Sequence, residues 1–309
     1  MSNFELPNLL IEAEDFSDYG GWVLDSQFET VLHDSTIDAI IVTTPTETHF
    51  DMCKAALDAG KHVFVEKPLA NSMDKIEKLY TCAERNKRLL FVGYNRRYDP
   101  EWRRLVDQVG TGSPYAIDII CRDYPFPPAS YLKTCGGIFR DAAVHDIDMM
   151  CLLLNDTPVV VDAMLDCVEE NASVFMQFSK GCRAHMVHSR HAPSYEQSVH
   201  IVLRDKTVHM CPDPRECGTT FQTRYRESYV QQLADFAKRL SEGRFAPNVS
   251  FEEATSMERI LDACDTSAIK GEPVQLHTLR EYEAAKERVR LLYKDARTHN
   301  TPREREKER

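Results

Sequence analysis

No apolar run in this chain approaches the length of a membrane span. Stretches such as Ile37 to Val42, interrupted by Asp38, fall far short of the ~20 residues a spanning helix needs. No charged-then-apolar leader opens the sequence, so the expected address is cytoplasmic, with no membrane partner. Paired cysteines are also missing. The ten cysteines are scattered without a single CxxC, which reads as reduced, buried thiols rather than a disulfide framework. Cys211 and Cys217, with His200 and His209 nearby, match no zinc spacing, and no metal is expected. A basic surplus is lacking as well. The net charge of −11 excludes a nucleic-acid partner, because phosphate neutralisation needs a basic face. Only the end from Lys286 to Arg309 is basic, at +4 against −15 for the rest. Its alternating Arg303-Glu304-Arg305-Glu306 reads as a solvated end.

Between Ile37 and Gly93, apolar runs of strand length alternate with segments of helical period. Ile37 to Val42 is a strand ending at Thr43-Thr44-Pro45. A helix follows from Thr46, with Phe50, Cys53 and Leu57 on one face and Gly60 as its stop. His62 to Val65 is the next strand. A second helix opens at Asn71 or Ser72 and buries Met73, Ile76, Leu79 and Ala83, and Leu89 to Gly93 closes the series. This β-α-β-α-β order builds a parallel sheet of the nucleotide-binding, Rossmann type. It is only one half of such a domain. Thirty-six residues precede Ile37, and the only glycines before Gly60 are Gly20 and Gly21. No G-x-G-x-x-G exists anywhere. The nearest approach, Gly110-Thr111-Gly112-Ser113-Pro114-Tyr115, has tyrosine at the third glycine. The first βα unit is therefore expected to be missing, leaving a truncated Rossmann-type sheet.

Beyond Tyr98 the pattern changes to alternating strands at Ala116 to Cys121, Val159 to Cys167, Val174 to Phe178, Cys182 to His188 and Val199 to Leu203. Helices are expected at Pro100 to Val109, Ala142 to Leu154, Glu227 to Leu240 and Glu252 to Ile269. The division is residues 1–98, an incomplete nucleotide-binding domain; 99–285, an α+β domain with an open, mainly antiparallel sheet; and 286–309, a charged end.

Two clusters carry chemistry. Glu66-Lys67-Pro68 follows a strand at the carboxyl edge of the parallel sheet, where open α/β sheets bind ligands. A residue before proline is kept out of the helical region, so Lys67 can be aimed into the crevice, and its bond to Pro68 can be cis. The second cluster runs from Gly136-Gly137 through Asp141, His145 and Asp148. Helical spacing puts these three on one face as a candidate proton-transfer unit, against the alternative of a capping Asp141 and a structural histidine. A metal-dependent hydrolase built on the same three residues is a rival reading, and it lacks a further ligand.

Taken in order, Val65-Glu66-Lys67-Pro68, Asn95-Arg96-Arg97-Tyr98-Asp99-Pro100 and Gly136 to Asp148 resemble the Gfo/Idh/MocA family, in particular its myo-inositol 2-dehydrogenase branch. The resemblance runs from about Asp38 to Leu276. It implies an NAD- or NADP-dependent oxidoreductase acting on a secondary hydroxyl of a cyclic polyol or sugar, and a homo-oligomer formed through the C-terminal sheet. Lys67, Asp141 and His145 fall on the family's catalytic positions. Asp148, Arg122, Asp123 and Tyr195 fall where substrate is approached. Thr44, Pro45, His49, Glu66, Lys67 and Asn95 fall along the nicotinamide half of the cofactor. Where the inositol branch has Gly-Tyr-Asp-Gln-Arg, this chain reads Ser194-Tyr195-Glu196-Gln197-Ser198. The missing glycine-rich loop implies impaired cofactor binding. The alternative is a shortened, catalytically weak or inactive form that only binds or oligomerises.

Overall fold

The computed structural model describes residues 10–12, 28–166, 170–205, 208–210 and 220–276. Cys167, Cys211 and Cys217, the Gly20-Gly21 pair and the charged end all lie outside these residues.

The parallel sheet comprises β1 (Leu10–Glu12), β2 (Ala39–Val42), β3 (His62–Glu66) and β4 (Leu90–Gly93), hydrogen-bonded in that order. β2 and β4 are buried along their whole length, and β3 through Val65, as expected of a sheet covered on both faces. Helix α1 (Phe28–His33) precedes β2, α2 (Thr46–Asp58) links β2 to β3, and α3 (Met73–Asn86) links β3 to β4. Ser72 caps α3 by accepting from the Lys75 amide, and Gly60 follows α2 with a φ of +77°, which suits glycine. The sequence reading stopped the sheet at Ile37, and this is corrected in part. β1 pairs in parallel with β2, Leu10 opposite Ile40, but three residues are too few for periodicity to reveal.

The second sheet has seven strands: β5 (Pro114–Arg122), β6 (Pro158–Leu165), β7 (Asn171–Phe178), β8 (Arg183–Ser189), β9 (Glu196–Leu203), β10 (Val208–Met210) and β11 (Val274–Gln275). Their order is β10-β9-β5-β8-β7-β6-β11, antiparallel throughout except for the parallel pair β5 and β8. Burial alternates along β7 and β9, so one face is packed and the other open. The packed face is covered by α6 (Val144–Leu154) and α9 (Phe251–Lys270), with Ile147, Val161, Met186, Ile201 and Leu261 in a core continuous with that under the parallel sheet.

The 99–285 segment is not confined to the second sheet. Helix α8 (Arg226–Ser241) returns to the far face of the parallel sheet, where Phe236 meets Phe64 and Phe91 edge-on at 5.7 and 5.5 Å. Asn248 then closes the sheet's edge. Its side chain accepts from the Val92 amide and donates to the Val92 carbonyl, both at 2.8 Å. Sequence periodicity finds α8 but cannot say which sheet it covers.

Candidate active site

The carboxyl ends of β3 and β4, the start of α6 and the loops after β5 and β8 surround a cleft of about 460 Å³. Lys67 enters it from the turn after β3, and its bond to Pro68 is cis. On the opposite wall, Gly136 and Gly137 take φ of +80° and +86°, a region that favours glycine. The chain then passes through one π-helical turn, Phe139–Ala143, into α6. That turn breaks the 3.6-residue period and frees Asp141 from any capping role.

Asp141 is the hub. Its Oδ1 accepts from Tyr131 Oη at 2.7 Å and from Lys67 Nζ at 3.3 Å, and its Oδ2 accepts from Arg190 at 2.5 Å. Lys67 also donates to the Asp141 carbonyl at 2.6 Å. Arg190 is completed by Glu170 at 3.3 Å. Asp141 therefore positions Lys67, and none of its hydrogen bonds reaches His145. The imidazole of His145 lines the same cleft, and its buried Nδ1 has no hydrogen-bond partner among the described residues. Burial, reinforced by the positive charges of Lys67, Arg96 and His188, holds His145 well below its ordinary value and keeps the ring neutral.

Beneath the cleft lies a buried ion network. Arg96 pairs with Asp146, whose Oδ1 also accepts from Gln197 at 2.7 Å and whose Oδ2 lies 2.8 Å from His188 Nε2. Burial alone would raise the Asp146 carboxyl, but Arg96 and His188 pull it below its ordinary value. Burial alone would also lower His188. The Cys121 sulfur and Asp146 reverse that and push it up to about 10. Among the described residues, Cys121, Asp146 and His188 form the one group of three metal-type ligands, and the Arg96 guanidinium already occupies its charge. The trio imagined for a hydrolase does not assemble, because Asp148 is elsewhere.

Of the residues singled out in the sequence, Lys67, Asp141, His145, Asn95 and Asp123 meet in the cleft. Burial raises the Asp123 carboxyl above its usual range, against the nearby His188 and Arg96. Asn95 is buried and donates to Ser228 Oγ at 3.2 Å. Three proposed substrate contacts lie outside the cleft lining. Asp148 is 3% exposed and bound by Arg97 through both oxygens, at 2.6 and 2.8 Å, on the side of α6 facing α9. Arg122 pairs with Glu196 on the neighbouring strand and does not line the cleft. Tyr195 is 1% exposed, its hydroxyl donating to Tyr225 at 3.2 Å.

Of the cofactor-side residues, Lys67 and Asn95 line the cleft, while Thr44, Pro45, His49 and Glu66 lie at the carboxyl edge outside its lining. Pro45 precedes α2, and the Thr44 hydroxyl lies 2.6 Å from that of Thr48. Both ring nitrogens of His49 sit against main-chain carbonyls, of Pro68 at 2.8 Å and Thr44 at 2.7 Å. His49 thus ties the two edge loops together rather than facing a ligand. Glu66 packs over Gly93, where an added Cβ would come within 3.1 Å of its carboxylate, and burial raises its pKa despite Lys67. The sequence reading missed Tyr131, Arg190, Arg96, Tyr225 and Tyr229 as cleft residues. The Asn95 to Pro100 motif could have flagged Arg96; the others carry no local signal.

Residues 10–94 match the model of the oxidoreductase family with an NAD-binding Rossmann fold, and residues 101–209 match the GFO/IDH/MocA C-terminal domain. The inositol 2-dehydrogenase of Rhizobium meliloti is 32% identical over 67% of this chain and 71% of its own length. The scyllo-inositol 2-dehydrogenase (NAD(+)) of Bacillus subtilis is 31% identical over 82% of this chain and 81% of its own. The crystal structure of a myo-inositol dehydrogenase from Corynebacterium glutamicum superposes with a TM-score of 0.70 at 27% identity, over 84% of this chain and 85% of that one. With the lysine, the acidic hub and the neutral histidine already gathered in one cleft, these likenesses make the chain a member of the Gfo/Idh/MocA family of NAD-dependent oxidoreductases acting on CH–OH groups.

Proposed function

We propose that this cleft oxidises a secondary hydroxyl of a cyclic polyol or sugar, with Lys67, Asp141 and His145 as the reacting set. The observation that carries the reading is the neutral, unpartnered imidazole of His145 in the same cleft as the Lys67–Asp141 pair. A base must be unprotonated, and burial with the neighbouring cations keeps His145 so. His145 takes the hydroxyl proton. Lys67, steered by Asp141, stabilises the developing alkoxide. Arg190 and Tyr131 act through Asp141, which they hold from its other sides. The nicotinamide of a bound NAD or NADP supplies the hydride acceptor.

The fit to that cofactor is uneven. The carboxyl edge of the sheet, with Thr44, Pro45 and Asn95, suits the nicotinamide end. The pyrophosphate end is different, because no G-x-G-x-x-G occurs in the 309 residues. Losing three charge-assisted hydrogen bonds at ~1.5–3 kcal/mol each and a helix-terminus contribution of ~0.3–2 kcal/mol removes about 5 kcal/mol or more, a thousandfold in affinity. The second reading is therefore a chain with a competent polyol site and weak cofactor binding. The open face of the seven-stranded sheet, with Phe175 at 44% and Met164 at 52% exposure, supports self-association through that face. The unpaired thiols suit a reducing compartment. Inositol oxidation at millimolar NAD, followed by the appearance of reduced nicotinamide, tests the reading. Turnover that His145→Ala abolishes supports it, and turnover indifferent to that change rejects it.

A further inference from the structure

The cleft is divided by depth. Its floor holds every charged group of the lining, with Arg96 and Arg190 5% and 2% exposed. Among the described residues its mouth carries no charge and is aromatic: Phe126, Tyr131 and Phe221 are 45%, 46% and 37% exposed, with Gln222 beside Phe221. Single exposed aromatics need no explanation. Three around one opening do, since each leaves a large apolar face in water.

These rings are also held in place. Phe126 stands between prolines 125, 127 and 128, whose φ angles are fixed, and it stacks on His191 at 4.5 Å. Tyr131 spans the two levels, its hydroxyl bonded to Asp141 on the floor at 2.7 Å and its ring at the mouth. The mouth therefore begins about one ring away from the reacting group. Rigid aromatic faces with a neighbouring amide suit a sugar ring, whose C–H face packs on the aromatics while its hydroxyls meet Gln222. The absence of any cation among the described residues of the mouth lining disfavours a phosphate there.

We propose that Phe126, Tyr131 and Phe221 form a second subsite that takes a neutral sugar ring joined to the reacting polyol, so that the preferred substrate is a glycosylated polyol rather than a free cyclitol. The inference rests on the polyol reading of the floor.

Calorimetry and saturation-transfer NMR on the full chain, with myo-inositol, an O-galactosyl-inositol and myo-inositol monophosphate as probes, test it. The galactosyl compound is expected to bind ~10-fold more tightly than myo-inositol. Phe126→Ala and Phe221→Ala should each reduce that advantage, and together abolish it, with myo-inositol affinity held within about twofold and circular dichroism unchanged. Equal affinity of the one-ring and two-ring compounds for the unaltered chain overturns the subsite while leaving the polyol reading intact. So does an equal gain by the phosphate, or a loss in the variants that falls equally on myo-inositol. Failure of all three probes to bind rejects the polyol reading itself.

Discussion

Around Asp141, side chains from separate parts of the chain converge on one carboxylate: Lys67 from the turn after β3, Tyr131 from the helix Ala129–Leu132, Arg190 from the end of β8, with His145 one turn further along. For the pyrophosphate of a dinucleotide, the sequence holds no G-x-G-x-x-G. The comparison teaches that the two ends of a dehydrogenase site are built independently. The reacting end draws on both sheets and is buttressed by buried ion pairs. In the proposed reading the phosphate end depends on one short motif, and the reacting end does not.

The largest expected effect breaks the buttress. Asp146→Ala leaves Arg96 and His188 charged and buried without their partner, and should cost about 3–5 kcal/mol of stability in a denaturant titration. A loss below about 1 kcal/mol would mean that the network is not what supports the floor. Next come Lys67→Ala and His145→Ala, each expected to lower polyol turnover by ~10²-fold or more with an unchanged circular dichroism spectrum. Either variant turning over normally would remove that residue from the chemistry.

Asp148→Asn separates structure from catalysis within one helix. It should lower stability by about 1.5–3 kcal/mol through the weakened Arg97 pair, while the KM for polyol stays within about twofold. A large rise in KM would return Asp148 to the substrate site. The smallest effect is one of pH. His145 is neutral well below its ordinary value of 6.5, so its base form persists as pH falls. The acid limb of kcat/KM should therefore lie below 6.5, and a His145-dependent limb at or above 6.5 contradicts the buried, cation-flanked ring. The stability sign agrees. The folded state binds fewer protons at this residue than the unfolded chain, so His145 opposes folding increasingly as pH drops below 6.5.

The unevenness also explains what the sequence revealed. Lys67, Asp141 and His145 were legible because each sits in a compact local pattern: a strand end before proline, and a double glycine before a helix. β2, β3, β4 and the long helices were legible from their periods. Tyr131, Arg190 and Tyr225 were not, because their approach to the cleft is set by the packing of one sheet against the other. The pairing of Asp148 with Arg97 was not legible because both sides of α6 are buried, so helical spacing alone does not say which face meets the cleft. Tyr195 and Arg122 lie outside the cleft lining, which strand alternation does not reveal because it tells inside from outside but not cleft from core. β1 escaped notice by its brevity, and α8 was found as a helix but not as a cover for the parallel sheet.

The central proposal is a competent polyol end beside a phosphate end that binds weakly. Titrating the purified chain in parallel with NADH and with reduced nicotinamide mononucleotide, and following nicotinamide fluorescence, compares the two ends directly. The account predicts millimolar dissociation constants for both, within about tenfold of each other, because the adenosine diphosphate half finds little to hold it. Saturation at low micromolar NADH, with the mononucleotide a hundredfold or more weaker, would contradict it.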